Sequence, residues 1–452
     1  MSRLSARIRP AIAVVVALAL NLAFTAPVRA SDGELDPSFG DGGIVTTSIG
    51  SDSGANAMAI TRAGRILVAG WASNGTDRDF ALARYKPDGR LDRSFGSGGV
   101  VTTAIGSFDD VATAVAIGPR GRIVVAGWAA KDLYSPELAL ARYKRNGRLD
   151  RSFGSGGTVM EPIDSGGCDG YEIRCPAEAQ GVAIDSDGRI VVAGWVVTDL
   201  AFIPDHDFAV MRYKPDGTLD DSFGSNGAVI TSFGGGGAAY AVTIDGEGRI
   251  VAAGFRSDYH DADFATIRYN SDGTLDDSFG GDGVVTDHVD VLNVALALAI
   301  DSEGRLVVAG VMGCSTACDD QGDFGLIRYA PDGTRDPSFG SHGAVTTDFG
   351  TDYDQANAVA IDARGRIVAA GGSGGAFALA RYHRDGALDG SFGSSGKLRT
   401  SIGNATFGSN CGWLAVSGAC GMGIDSKGRI VTAGTASSDT ASEFALARYL
   451  SD

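Results

Sequence analysis

The chain has 452 residues, 67 of them glycine and 44% of them hydrophobic, and its formal net charge at pH 7 is −17. A negative field of this strength repels phosphate backbones and anionic lipid surfaces, so the composition argues against nucleic acid or a membrane surface as a partner. The apolar runs that alternate with the glycines argue against disorder and are typical of short strands joined by tight turns.

The first thirty residues predict an export signal. Arg3, Arg7 and Arg9 precede a short apolar run, and the small residues that end at Ala30 fit a signal-peptidase site. The apolar run is too short for a spanning helix, and no later segment has the length to cross a bilayer. We therefore divide the chain into a signal peptide (residues 1–30) and one domain (residues 31–452), and we expect a secreted or periplasmic monomer without a membrane span.

Three phrases recur seven times each after residue 30. One is "LDRSFGSGG", whose phenylalanines are Phe39, Phe95, Phe153, Phe223, Phe279, Phe339 and Phe392. The others are "GRIVVAG", first found as "GRILVAG" at Gly64, and "FALARY", which first ends at Tyr85. Self-similarity at a nearly fixed period of this size indicates an array of equal supersecondary units.

Each unit predicts four strands, which we label A to D. In the second unit, A is Ala112 to Ile117, B is Arg122 to Trp128, C is Leu138 to Tyr143 and D is Gly157 to Met160. Strands A and C alternate, whereas B is a continuous apolar run typical of a strand covered on both faces. Four antiparallel strands repeated seven times predict an all-β fold, a seven-bladed β-propeller.

The last unit supplies only strands A, B and C before the chain stops. Its missing D strand is "GIVTT" at residues 43–47, near the other end of the chain. We predict that this N-terminal strand completes the last blade and closes the ring, which leaves no sheet edge free for pairing with another chain.

The three phrases resemble the delta-60 repeat family, which consists of exported bacterial proteins built from tandem copies of such a motif. The resemblance covers nearly the whole chain after residue 30. It implies a secreted propeller, and it implies no particular activity because the family is described by its repeat.

The repeated charges are interpreted as structural. Arginines end the seven C strands, and an aspartate follows each of them in the next phrase. Because every blade has the pair, an arginine–carboxylate bond that holds the blade together is favoured over seven acid–base sites. The arginines are Arg84, Arg142, Arg212, Arg268, Arg328, Arg381 and Arg448, and the aspartates are Asp36, Asp92, Asp150, Asp220, Asp276, Asp336 and Asp389.

The loops of a propeller emerge on two faces. The A–B and C–D turns form a regular face, which is nearly the same in every unit, so we expect no single distinguished site there. The B–C and D–A loops form a variable face, which holds most of the length variation and is our candidate binding surface. All six cysteines are assigned to this face, and neighbour pairing predicts the disulfides Cys168–Cys175, Cys314–Cys318 and Cys411–Cys420. A metal or redox role for Cys314 and Cys318 is the alternative.

Two groups of side chains could act on the variable face. His206, His260 and His288 lie among carboxylates on neighbouring blades and could bind a transition metal, although solvated loop residues are the simpler interpretation. Aromatic residues form a predicted half-ring that could stack on a sugar or anchor a peptide, and packing between blades is its alternative. Its members are Trp71, Trp128, Trp195 and Phe255, with Trp413 in a nearby loop.

Two functions from different classes follow. The first is an exported binding or scaffold protein without catalysis and without a cofactor, whose partner is an extracellular or envelope glycan or protein. The second is an extracellular metal-assisted hydrolase or lyase that uses the three histidines.

Overall fold

The ring consists of seven four-stranded antiparallel sheets, and it begins with the short strand β1 (Ile44–Thr47). The structure is a computed structural model, and it describes residues 31–132, 136–161, 175–199, 205–258, 261–289, 293–313, 322–351, 353–403, 419–437 and 441–452. Blade 1 contains β2 (Ser53–Ile60), β3 (Ile66–Ser73), β4 (Arg78–Tyr85) and β5 (Val100–Thr103). Blade 2 contains β6 (Asp110–Ile117), a short 3-10 helix (Pro119–Gly121), β7 (Ile123–Ala130), β8 (Pro136–Tyr143) and β9 (Thr158–Glu161).

The next three blades keep the same order of strands. Blade 3 contains β10 (Ala177–Ile184), β11 (Ile190–Asp199), β12 (Asp205–Tyr213) and β13 (Ala228–Thr231). Blade 4 contains β14 (Gly237–Ile244), β15 (Ile250–Ser257), β16 (Ala262–Tyr269) and β17 (Val284–Asp287). Blade 5 contains β18 (Asn293–Ile300), β19 (Leu306–Met312), β20 (Asp323–Tyr329) and β21 (Ala344–Thr347).

The last two blades complete the predicted seven. Blade 6 contains β22 (Asp354–Ile361), β23 (Ile367–Ser373), β24 (Ala376–Tyr382) and β25 (Lys397–Thr400). Blade 7 contains β26 (Ala419–Ile424), β27 (Ile430–Ser437) and β28 (Ser442–Tyr449), and β1 is its fourth strand. The predicted seven-bladed all-β propeller is therefore confirmed.

The predicted closure of the ring is also confirmed. Strand β1 pairs antiparallel with β28, from Ile44 opposite Ala447 to Thr47 opposite Phe444. The strand begins at Ile44, one residue later than predicted. No blade edge is left open at the point where the two ends of the chain meet.

The hydrophobic core lies between neighbouring blades. Val431 and Phe444 of blade 7, for example, belong to the same buried cluster as Val68 and Ala81 of blade 1. Strand B lies in the middle of each sheet and contributes to the clusters on both sides, which explains its continuous apolar run. The repeated apolar phrases therefore form the packing surfaces between neighbouring blades.

The repeated arginine and aspartate form a buried pair in every blade. The arginine Nε donates to an aspartate oxygen at 2.7 to 3.1 Å. The other aspartate oxygen accepts from a serine hydroxyl at 2.6 to 2.9 Å, and the repeated phenylalanine packs under the guanidinium. In six blades the same guanidinium donates to a backbone carbonyl of the next blade, for example Arg84 to Arg145. These charges therefore hold both the blade and the contact between blades.

The chain ends replace one C–D turn, that of blade 7. Gly33 N donates to Leu450 O at 2.8 Å, as Gly89 N donates to Lys86 O in blade 1. Arg381 of blade 6 donates to the carboxylate of Asp32 and to the hydroxyl of Ser451, where other blades offer a carbonyl. Residues from both ends thus rebuild an ordinary turn.

Candidate ligand-binding site

Each A strand bulges outward from the ladder at one position, and the bulged residues line the central channel. The register of strand A against strand B slips by one residue in all seven blades. Six residue types occupy the slip in the seven blades, with asparagine in two of them: the residues are Asn56, Thr113, Gln180, Tyr240, Leu296, Asn357 and Cys420. All seven line a channel space of about 290 Å³. The blades therefore present different side chains to the channel although their strands repeat.

Three of these polar side chains connect neighbouring blades. Asn56 donates to Ala112 O at 2.8 Å, Thr113 donates to Ala179 O at 2.6 Å, and Asn357 donates to Ala419 O at 3.1 Å. Each acceptor is the carbonyl just before the bulge of the next blade. Polar bulge residues thus satisfy backbone groups that the bulge would otherwise leave without partners.

A cavity of about 390 Å³ lies over blades 1 to 4 at the end of the channel nearer the variable face. It shares Asn56, Thr113, Gln180 and Tyr240 with the channel. Its walls combine aromatic rings, amides and single charged groups. The lining residues are Asn56, Arg78, Val111, Thr113, Trp128, Glu178, Gln180, Trp195, His206, Ala238, Tyr240 and Phe255.

Three of the predicted aromatic residues meet in this cavity. Trp128, Trp195 and Phe255 occupy equivalent positions in strand B of blades 2, 3 and 4, and all three line the cavity. Both tryptophans are partly exposed, whereas Phe255 is buried and stacks on Tyr240 at a centroid distance of 6.1 Å. The tryptophan rings are therefore the aromatic surfaces that a ligand in the cavity can reach.

Trp71 has the same strand position in blade 1 but does not line the cavity. Its side chain is 3% exposed, and the Arg78 guanidinium covers the ring at 4.2 Å from the centroid. The ring lies over Gly54, where a Cβ atom would come within 2.6 Å of the indole nitrogen. Glycine at this position lets the indole fold down into the blade. Trp413 lies outside the described residues.

A carboxyl group stands beside the tryptophans. Glu178 lies opposite Trp195 in the β10–β11 ladder, and its Oε2 accepts from Gln180 Nε2 at 3.1 Å. Burial raises the pKa of Glu178 to about 7, although the hydrogen bond from Gln180 opposes this shift. Burial and the charge of Glu178 also raise the pKa of the Tyr240 hydroxyl. Near neutral pH the Glu178 carboxyl can therefore either donate or accept a hydrogen bond.

The predicted histidines have different surroundings. The His206 ring packs edge-on against Trp195 at 4.7 Å and lines the cavity. His288 Nδ1 lies 2.7 Å from an oxygen of Asp263, whose other oxygen pairs with Arg256. His260 lies outside the described residues. Within the described ranges, one group has metal-compatible ligand spacing, and it consists of Asp323, Asp348 and Asp354 without a histidine.

Two of the predicted disulfide cysteines fall within the described residues. Cys175 lies two residues before β10, and Cys420 is the bulge residue of β26, inside a strand and not in a loop. Both sulfurs are disulfide-bonded. Cys168, Cys314, Cys318 and Cys411 lie outside the described residues, so the pairing stays a prediction.

Sequence reasoning missed Glu178, Gln180 and Tyr240. Their positions in strand A looked like part of the repeat because the flanking alanines are repeated. Placing the seven A strands in register would have shown that the position of Gln180 and Tyr240, which is the position of the bulge, varies in residue type between blades, and that Glu178 lies two residues before it. A residue that differs from the repeat within a strand therefore indicates the candidate site as well as one that differs in a loop.

The architecture defines the chain as a seven-bladed propeller with a concave, aromatic-lined cavity at one end of its channel. The chain belongs to the family described as "Domain of unknown function (DUF5122) beta-propeller". The family's sequence profile matches residues 64–95, 121–153, 186–223, 248–279, 302–339, 365–392 and 428–452. The resemblance of the repeated phrases implied a propeller repeat family of this kind. No curated protein matches the chain.

Several solved structures are similar to the chain at low sequence identity. A streptogramin B lyase structure is 11% identical with a TM-score of 0.47, and the match covers 90% of this chain and 97% of that one. The polysaccharide lyase Uly1 is 9% identical with a TM-score of 0.45, covering 88% and 90%. Sqt1 of Chaetomium thermophilum, bound to the N-terminus of the ribosomal protein L10, is 13% identical with a TM-score of 0.41, covering 86% of each chain. Likeness at this level concerns the fold alone.

The part of the chain that the structure describes contains no helix long and apolar enough to cross a bilayer.

Proposed function

We propose that the protein is an exported, non-catalytic binding propeller whose cavity over blades 1 to 4 holds a carbohydrate. The observation that carries this proposal is the placement of two partly exposed tryptophans beside hydrogen-bonding side chains in one concave site. Trp128 and Trp195 offer apolar ring faces, and Glu178, Gln180 and Asn56 offer donors and acceptors. Sugars need both, because their C–H faces pack on aromatic rings while their hydroxyl groups require hydrogen-bond partners.

The size of the site favours a small ligand over a protein segment. A volume of about 390 Å³ lies within the range of small-molecule pockets, which is about 300 to 1,000 Å³. Protein partners usually require a broad surface of about 800 Å² on each side. A peptide ligand remains the alternative outcome of the experiment below.

Catalysis by a metal is the second candidate function. It rests on His206, which lines the cavity near the Glu178 carboxyl, and on the predicted partnership with His260 and His288. His288 is already paired with Asp263, so a shared metal would need a rearrangement of that pair. Elemental analysis of the purified protein tests this candidate, because a metal lost on His206→Ala would support it.

A glycan array followed by calorimetry tests the binding proposal. We expect Trp128→Ala and Trp195→Ala each to weaken binding about tenfold or more, since one buried aromatic contact contributes about 1–3 kcal/mol. His342→Ala and His383→Ala on the regular face serve as controls, because both side chains are exposed there.

The opposite pattern would refute the choice of site. Binding that survives both tryptophan changes in folded protein, but is lost in either histidine control, would place the ligand on the regular face. Binding of peptides and of no glycan would replace carbohydrate by a protein segment as the ligand of this cavity.

A further inference from the structure

Each A–B turn of blades 3 to 7 contains an aspartate that neutralises an arginine of the same turn. In each of these turns an aspartate pairs with the arginine four residues later, at 2.6 to 2.8 Å. The pairs are Asp185 with Arg189, Asp245 with Arg249, Asp301 with Arg305, Asp362 with Arg366 and Asp425 with Arg429. The aspartate also accepts the backbone N–H of that arginine. In five blades the arginine that ends the turn is therefore neutralised by an aspartate of the same turn.

Blades 1 and 2 lack this aspartate. Thr61 takes its place in blade 1, where its hydroxyl oxygen accepts from Arg65 N at 3.0 Å. The threonine thus accepts the same backbone hydrogen bond as the aspartate of the other blades, but it has no negative charge. Gly118 takes the place in blade 2 and supplies neither. The A–B turns of the regular face therefore differ between blades in their charge.

The two turns without the aspartate border a cavity of about 690 Å³. Five arginines line it, and no carboxylate of the described residues does. They are Arg62, Arg65, Arg84, Arg120 and Arg145. Five guanidinium groups around one cavity contrast with the net charge of −17 of the whole chain.

The corresponding cavity between blades 5 and 6 shows what the repeat builds elsewhere. It is lined by the arginines Arg305, Arg328 and Arg384 and by the carboxylates Asp301, Glu303 and Asp362. Charges of opposite sign are equal in number there, and the space is only about 190 Å³. The cavity between blades 1 and 2 thus has an excess of positive charge that the cavity between blades 5 and 6 lacks.

A carboxylate outside this cavity neutralises only part of the charge. Asp92 pairs with Arg65 at 3.0 Å and with Arg84 at 2.9 Å. Burial alone would raise the pKa of Asp92, but hydrogen bonds from Ser94 and the two arginines hold it at about 2. Within the described part of the chain, Arg62, Arg120 and Arg145 form no side-chain ion pair. All three are exposed and available to a ligand.

We propose that this cavity binds a small ligand that bears phosphate or sulfate groups. Planar guanidinium groups match tetrahedral oxyanions because their N–H donors can engage two oxygens at once. The acidic remainder of the surface repels long polyanions, so the ligand is a small molecule rather than a nucleic acid. The site lies on the regular face and is independent of the carbohydrate cavity.

Titration calorimetry with inorganic pyrophosphate, and separately with sodium sulfate, tests the proposal on the purified protein at low ionic strength. We expect one or both anions to bind, with an affinity that falls steeply as salt is added. Arg62→Gln, Arg120→Gln and Arg145→Gln should each weaken binding about three- to fivefold. Arg364→Gln and Arg384→Gln are matched controls, because they occupy the positions of Arg120 and Arg145 in blade 6. The controls should leave binding unchanged.

Thr61→Asp gives a second and sharper test. It restores the residue found in five other blades, so we expect normal folding and an unchanged melting temperature. The new carboxylate would pair with Arg65, and anion binding should fall at least fivefold. Absence of binding by both anions to the folded wild-type protein would overturn the proposal. Equal losses in the blade 6 controls, or unaltered binding in Thr61→Asp, would overturn it as well.

Discussion

Deletion of residues 31–50 should destroy the monomeric fold. The deletion removes strand β1 and the fully buried Phe39, and the burial of such a side chain contributes about 2–3 kcal/mol. It also removes Asp36, which leaves Arg448 buried without its carboxylate at a cost of about 3–5 kcal/mol. The loss of about 5–8 kcal/mol is comparable with the whole stability of a typical domain, about 5–15 kcal/mol. The four lost residues of the ladder add to this figure.

Thermal denaturation followed by circular dichroism, together with light scattering after gel filtration, measures the outcome. We expect a much lower melting temperature and self-association through the exposed edge of β28. A synthetic peptide of residues 31–50 should restore the monomer, and a scrambled peptide should not. A truncated protein that stays monomeric with the melting temperature of the full protein would refute the role of β1 as the closing strand.

Two further predictions concern the cavity and the loops. Because the folded protein retains the Glu178 proton up to about pH 7 and the unfolded chain releases it near 4.5, the free energy of unfolding should fall as pH rises between these values. We expect the free energy of unfolding, measured by urea titration, to be about 2 kcal/mol lower at pH 7 than at pH 4.5. This difference should disappear in Glu178→Gln. An equal pH dependence of the unfolding free energy in both proteins would contradict the assignment. Mass mapping without reduction should show the bonds Cys168–Cys175, Cys314–Cys318 and Cys411–Cys420; a reduced Cys314 and Cys318 in exported protein would reopen a metal or redox role.

The repeat made the fold predictable to the level of single strands. Seven copies of the same phrases define the blade, and the absence of a D strand after Tyr449 identifies the partner of β28 near Ile44. Such information is local, because each blade other than the seventh is built from one continuous segment. The apolar pattern of strand B alone indicates that it is buried on both faces.

The candidate site was only partly predictable. The equivalent positions of Trp128 and Trp195 could be found from the sequence, but the burial of Trp71 depends on Gly54 and Arg78, which come from other strands. Glu178 becomes notable only when the pairing of β10 with β11 places it opposite Trp195 in the wall of the cavity. Contacts between strands and blades decide these cases, and the periodicity of a single strand does not encode them.

The sequence shows that two A–B turns of the regular face lack an aspartate, but the sequence alone does not show what this loss does. "TRAGR" at residues 61–65 and "GPRGR" at 118–122 lack both acids of "DSDGR" at 185–189, including the first aspartate, which pairs with the arginine of the turn. Its importance follows from the geometry, since the missing aspartate is the counterion of an arginine in the other blades. A small change in a turn thereby becomes a change in the charge of a cavity.

Both ends of the segment 31–452 meet in the C–D turn of blade 7, so the same ring can be built from a polypeptide that starts in another blade. Asp452 N already donates to a carboxylate oxygen of Asp32 at 3.2 Å, so a linker of a few residues would join them without disturbing the ring. A circular permutant opened instead at Asp88–Gly89 would keep the same seven sheets and move the seam by one blade. A fusion partner attached after Asp452 would likewise project from the regular face, which leaves the mouth of the tryptophan cavity unobstructed for display or immobilisation.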